Sequence, residues 1–242
     1  MTYCVAMRLE SGLVFLSDSR TNAGVDHINT FRKMRIWPRP GERVIVMLAA
    51  GNLSVTQSVV NILNERLTLT DATNLWNAPN MFEVARHVGE VVREVHRRDA
   101  EALAEFGVEF NPSLIVGGQI LGEVPRLFNV YAAGNFIEST EDTPYIQIGE
   151  SKYGKPIIDR VVRFQTSLAD AAKCALVSMD STIRSNLSVG VPLDLCVIER
   201  DAFAVRSHVS IDHNHAYYAQ IRNQWGDRLR EAFAELPGPD WL

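Results

Sequence analysis

Large apolar side chains alternate with smaller or polar ones from the first residues. Tyr3, Val5, Met7 and Leu9 stand against Thr2, Cys4, Ala6, Arg8 and Glu10. A period of two is that of a half-buried strand, predicted over residues 2–10. A turn at Glu10-Ser11-Gly12 leads to a second strand over 13–20, and the two read as a hairpin. Folding about residues 11–12 sets Thr2 opposite the stretch near Arg20 and Thr21, with Asp18 one diagonal away. A second hairpin runs over 30–37, turns at Pro38-Arg39-Pro40-Gly41 and returns over 43–50. Its turn brings residues 30–33 beside 49–51. If the two hairpins pair with their open ends aligned, Thr2, Asp18, Lys33 and Gly51 converge.

Past Gly51, Asn52 is placed to cap a helix over 53–67, with Val55, Val59, Ile62 and Leu63 at helical spacing. A longer helix is predicted over 80–106. Phe82, Val84, Val88, Val91, Val92 and Val95 share one face, and Arg93, Glu94, Arg97 and Arg98 mostly another. Strands follow at 112–120, 126–134 and 144–148, then helices near 154–162 and 167–185. A hairpin of 193–200 with 203–211 precedes a final amphipathic helix over 215–236, carrying Tyr218, Ile221, Trp225, Leu229 and Phe233. Grouping these faces predicts an α+β fold: stacked sheets with helices outside, a four-layer αββα sandwich with an extra C-terminal helix. No linker interrupts the pattern. Residues 1–242 are expected to form a single domain, with 213–242 as a C-terminal helical extension.

Twenty-nine acidic residues against 24 basic ones give a formal charge of −5. Phosphate neutralisation needs a basic surface, so nucleic-acid binding is not expected. Cys4, Cys174 and Cys196 are far apart and without metal-ligand spacing, which points to small buried residues in a reducing compartment. The longest uncharged apolar run, residues 44–50, is far short of the roughly 20 residues that span a bilayer. Arg8 and Glu10 interrupt the first apolar segment, unlike a secretory signal. A cytoplasmic protein with no membrane partner and no cofactor is expected. Asp212-His213-Asn214-His215 offers two imidazoles two residues apart, but a solvated loop or helix start accounts for it better than a metal site. Gly149-Glu150-Ser151-Lys152-Tyr153-Gly154 is one residue too long for a nucleophile elbow.

The residues brought together by the two hairpins allow a different chemistry. Once Met1 is removed, the Thr2 hydroxyl can be the nucleophile and its own α-amine the base. A free α-amine has a reference pKa of roughly 7.7–8.0, and a neighbouring cation lowers it. Lys33 can supply that cation, and Asp18 can hold and neutralise Lys33. Gly51, at a strand end, offers a backbone N–H to a developing oxyanion, a contribution of about 3 kcal/mol in a transition state. The alternative is that Thr2 is merely a second residue.

The stretch over residues 2–58, with "TYCVAMRLESGLVFLSDSRT", "FRKMRIW" and "RVIVMLAAGNLSVTQSV", resembles the N-terminal half of proteasome-type β subunits. Similarity continues through "IGESKYGKPIIDR" and "STIRSNLSVGVPLDLCVIERD", to about residue 210. "MTYCVAM", "SDSRTNAGVD" and "SNLSVG" look like the Anbu (ancestral beta subunit) branch of bacterial proteasome homologues, whose members start on Met-Thr. The resemblance implies an N-terminal-nucleophile hydrolase: Thr2 as nucleophile and base, Asp18 and Lys33 as the charged pair, Gly51 as oxyanion donor, and Ser151 (or, shifted by one, Glu150) with Ser188 assisting the amine. Backbone at Thr21 and Asn22 would pair with an extended substrate, and Phe31, Arg35, Ala49 and Leu53 would line the pocket. One departure stands out. Ser185 occupies the place of an aspartate in the family's Arg-Asp-x-x-Ser-Gly stretch. The resemblance further implies a homo-oligomer, as a ring or open spiral, that cleaves peptide bonds without metal or nucleotide, with an unfoldase as a conceivable partner. A small amide as substrate, or an assembly scaffold without useful turnover, are the alternatives. A retained Met1 would cap the amine.

Overall fold

The computed structural model describes residues 2–23, 27–69 and 72–241. In chain order its elements are β1 (Tyr3–Leu9), β2 (Gly12–Asp18), β3 (Arg20–Ala23), β4 (His27–Thr30), β5 (Met34–Arg39), β6 (Arg43–Ala50), α1 (Leu53–Arg66), α2 (Met81–Glu105), β7 (Ser113–Ile120), β8 (Arg126–Val130), β9 (Phe136–Glu138), β10 (Tyr145–Gly149), α3 (Lys155–Val161), α4 (Leu168–Ser185), β11 (Leu193–Glu199), β12 (Val205–Ile211) and α5 (Ala216–Ala234). Asn52 caps α1 as expected, its side-chain oxygen accepting from the N–H groups of Ser54 and Val55. Asn80 does the same for α2 through Glu83.

Two antiparallel five-stranded sheets form the centre, in the orders β10-β1-β2-β11-β12 and β5-β6-β7-β8-β9. The alternation along β1 decides how they are layered. Tyr3, Val5, Met7 and Leu9 pack with Ala175 and Met179 of α4 and with Tyr218 and Ile221 of α5. Cys4 and Ala6 face the other way, onto Val44, Val46 and Leu48 of β6 and Ile115 of β7. The opposite face of β6, Ile45, Met47 and Ala49, packs on Val55 and Val59 of α1 and on Val88 and Val91 of α2. The result is helices, sheet, sheet, helices, the expected αββα sandwich.

This layering corrects two expectations. β1 is buried on both faces rather than half-buried. Its small residues are not the solvent side but the side that lets a second sheet approach, at the ~10 Å spacing of stacked sheets. The two hairpins also do not pair edge to edge. β1–β2 lies in one sheet and β5–β6 in the other, stacked face to face, so their open ends meet across the sandwich. Within the first hairpin Leu9 pairs with Gly12 and Cys4 with Ser17. Continuing that register sets Thr2 against Ser19, one to two residues short of the expected Arg20 and Thr21.

Three strands were not expected. β3 and β4 form a two-stranded ribbon of their own, built from Arg20-Thr21-Asn22-Ala23 and His27-Ile28-Asn29-Thr30, which lack the apolar alternation that marks a strand. The predicted strand over 126–134 stops at Val130, turns through Gly134 and re-forms as the three-residue β9. The apolar stripe of α5 divides. Tyr218 and Ile221 are buried against the first sheet, whereas Leu229 is 50% and Phe233 77% exposed. Buried Asp180 on α4 ties the helix down through Arg222 at 3.3 Å. Among the described residues no helix is long and apolar enough to cross a membrane.

Candidate active site

Asp18 ends β2 with its carboxylate fully buried. The backbone N–H of Tyr3 donates to its Oδ1 at 3.0 Å, and the Lys33 ammonium donates to Oδ2 at 2.7 Å. A third donor is the backbone N–H of Gly190. Burial pushes the carboxyl above its ordinary value, while Lys33 and the N–H groups of Tyr3 and Gly190 pull it down. Lys33 precedes β5 and is itself only 7% exposed. Its ammonium also donates to the carbonyl of Arg20 at 2.6 Å. Asp18 and Arg20 therefore fix two of its three protons, and its direction is set by β2 and the start of β3.

Thr2 lies above this pair. Its carbonyl accepts from the N–H of Glu150 at 2.8 Å, which joins it to the end of β10. Gly149, at φ +79°, makes that contact possible: a Cβ there would sit 1.9 Å from the Thr2 carbonyl oxygen. Across the sandwich Gly51 follows β6 at φ +102°, where a Cβ would sit 2.2 Å from the carbonyl oxygen of Asn111. A side chain is excluded twice over, by backbone conformation and by space, at the position that would offer the oxyanion N–H.

A cleft joins these groups. Thr2, Lys33 and Gly51 line it, together with Thr21, Phe31, Arg35, Ala49 and Leu53 from the expected pocket. Arg32, Thr56 and Val60 also contribute. Asp18 is buried beneath the cleft rather than in its wall. Asn22 follows Thr21 on β3 and pairs with Ile28. Ser151 opens a single 3-10 turn after Glu150, and the N–H and hydroxyl of Ser188 both donate to the side-chain oxygen of Asn186. Among the described residues the lining includes neither serine. Ser185, standing where the family pattern has an aspartate, is exposed at the end of α4. Met1 lies outside the described residues.

Sequence reasoning did not find the groups that hold Asp18 and the ribbon in place. Ser19 donates to the carbonyl of Pro192 from both its N–H (2.9 Å) and its hydroxyl (2.6 Å), while its own carbonyl accepts from Phe31. Arg20 donates to the carbonyl of Leu187 at 2.9 Å. A Cβ on Gly190 would lie 2.5 Å from the Arg20 guanidinium carbon. The "SNLSVG" stretch thus works as a clamp on the β2–β3 bend, and the glycine within it was the available signal. Asp212-His213-Asn214-His215 is a helix start: His215 caps α5 through Nδ1, which accepts from Tyr218. No metal-binding cluster occurs among the described residues.

Residues 2–198 match the proteasome subunit family. The whole chain is also similar in structure to Anbu (ancestral beta-subunit) from Yersinia bercovieri, with TM-score 0.93 and 55% identity over 99% of each chain. The chain belongs to the proteasome subunit family, in its Anbu branch. Its fold is accordingly that of a proteasome-like N-terminal-nucleophile hydrolase. A second Anbu structure, described as a helical assembly of the Anbu complex from Pseudomonas aeruginosa, is 51% identical at TM-score 0.94 and covers 98% of both chains. More distant is proteasome subunit beta 2 of Nitrosopumilus maritimus (strain SCM1), 24% identical over 208 residues, 84% of this chain and 88% of that protein.

Proposed function

We propose that this chain is a self-assembling threonine peptidase that hydrolyses peptide bonds through an acyl-enzyme on Thr2. The observation that carries this reading is the buried Asp18–Lys33 pair beneath a cleft walled by Thr2 and Gly51. An ammonium fixed at that place by a fully buried carboxylate has little reason to exist for stability alone, since buried ion pairs are often neutral replacements for apolar packing. Beside the freed amine of Thr2 it has one: it lowers the amine's pKa into the range of a base at neutral pH.

With Met1 removed, the amine takes the hydroxyl proton as Oγ1 bonds to the scissile carbonyl carbon. Negative charge develops on the carbonyl oxygen toward the Gly51 N–H. Collapse breaks the C–N bond, and the ammonium returns its proton to the leaving amine. Water then attacks the ester, giving its proton to the same amine, and the acid leaves as Oγ1 is reprotonated. An extended substrate laid beside β3 would lengthen the two-stranded ribbon by strand addition at Thr21 and Asn22. Assembly into an open spiral is the arrangement favoured by the Pseudomonas aeruginosa relative.

The test joins intact mass to turnover. Protein lacking the mass of one methionine is expected to cleave peptides, Thr2→Ala is expected to cleave none, and both are expected to sediment as the same assembly. Turnover surviving in Thr2→Ala would overturn the reading. A small amide, which suits a closed pocket rather than an open strand-binding groove, is the second reading. Rates that stop rising beyond a single residue on either side of the cleaved bond would select it.

A further inference from the structure

Charge in the cleft is one-sided. Arg32, Lys33 and Arg35 line it, and no acidic residue does so among the described residues. Lys33 is spoken for by Asp18. Arg35 is not: it lies half-buried on β5, its Nη1 donates only weakly, at 3.3 Å, to the neighbouring Met34 carbonyl, and among the described residues it forms no ion pair. Burial and then Arg32 act against its charge, while buried Asp194 on β11 favours it from beyond ion-pair distance. A guanidinium cannot shed its proton in a protein and carries five donors. Most of those donors have no partner among the described residues.

Its geometry is nevertheless fixed. The Arg35 guanidinium carbon stands 5.2 Å from the centre of the Phe31 ring, and Phe31 is anchored by its N–H to the Ser19 carbonyl at 2.7 Å. A planar, half-desolvated fork held on an aromatic ring matches a carboxylate, which it can bind through two parallel hydrogen bonds. The apolar remainder of the wall, Ala49, Leu53 and Val60, suits the methylenes of an acidic side chain. We infer that Arg35 selects peptides carrying glutamate or aspartate on the acyl side of the bond presented to Thr2. The inference rests on the reading of Thr2 as the nucleophile of this cleft.

Binding separates it from that reading. Fluorescein-labelled tetrapeptide amides differing only in the last residue, Glu, Asp, Gln or Leu, are titrated by anisotropy into full-length Thr2→Ala assembly whose mass shows Met1 removed. The Glu peptide is expected to bind on the order of 10-fold or more tighter than the Gln peptide, the scale of a hydrogen-bonded charge. Arg35→Met should bring the two within about twofold, and Arg35→Lys should recover part of the difference. Equal binding of Glu and Gln, or a preference unchanged in Arg35→Met, would overturn the inference whatever the wild-type turnover. A Glu preference in an assembly whose wild type cleaves nothing would instead sustain carboxylate selection and remove the nucleophile reading. Glutarate displacing the Glu peptide at equal concentration would overturn the peptide assignment in favour of a small acidic amide.

Discussion

Replacing Lys33 by methionine removes the ammonium and keeps much of its volume. Asp18 would then be a fully buried carboxylate held only by the N–H groups of Tyr3 and Gly190. Breaking a buried pair from one side costs about 3–5 kcal/mol, because the remaining charge is left uncompensated. The two surviving backbone donors place the expected loss near the lower end, about 3 kcal/mol at pH 7. For a chain of this length that is a fall of roughly 6–12 °C in Tm, to be measured at fixed protomer concentration because assembly also stabilises. The pH dependence has a definite sign. Burial already raises the Asp18 carboxyl above its ordinary value, and Lys33 is the first of the groups opposing that rise. Without it the folded-state value climbs further. A carboxyl with a higher pKa folded than unfolded binds more protons when folded, so stability falls as pH rises from the unfolded value of about 3.9 through the folded one. The deficit of Lys33→Met should therefore be largest near neutrality and shrink toward pH 4. Adding Asp18→Asn should recover most of it, since the two sites are coupled. A loss under about 1 kcal/mol, or a deficit that grows on acidification, would refute the account of this pair.

Gly51→Ala should abolish hydrolysis and destabilise by about 2 kcal/mol or more, since Asn111 backbone occupies the space and φ is +102°; turnover and thermal unfolding together check it. Gly190→Ala is expected to lower kcat while leaving peptide binding by Thr2→Ala within about twofold, because its Cβ would displace the Arg20 clamp that orients Asp18 and Lys33; loss of binding instead would count against that role. The thiols should be inert while folded: burial raises Cys174 to about 11, Cys196 to about 12 and Cys4 further still. Alkylation by iodoacetamide at pH 8 should be negligible by mass before denaturant and complete after it. Phe128→Ala, at a fully buried ring edge-on to Phe136, should cost about 3–5 kcal/mol in urea unfolding.

Much of this protein is written in local pattern. The alternation of Tyr3 to Leu9, the apolar run of β6, the spacing of valines on α2 and the cap Asn52 each follow from the neighbours of a residue in the chain, so type and approximate extent were legible. The hairpin registers brought Thr2, Asp18, Lys33 and Gly51 together as a candidate set, and the motif resemblance added the family. What sequence alone left open was decided by packing between segments distant in the chain. Periodicity of two says that a strand has two kinds of face but not what lies against the smaller one; here it is a second sheet, which made β1 buried throughout and turned an expected edge pairing of hairpins into a stack. The ribbon β3–β4 had no pattern to read because its residues carry no apolar alternation. The clamp from Ser19, Arg20 and Gly190 joins residues more than 160 positions apart by side-chain hydrogen bonds to backbone carbonyls, which leave no periodic trace. Arg35 was visible as one lining residue of mixed character. Its unspent donors became visible only in the fold, because whether a cation is paired depends on which carboxylates the chain brings near it.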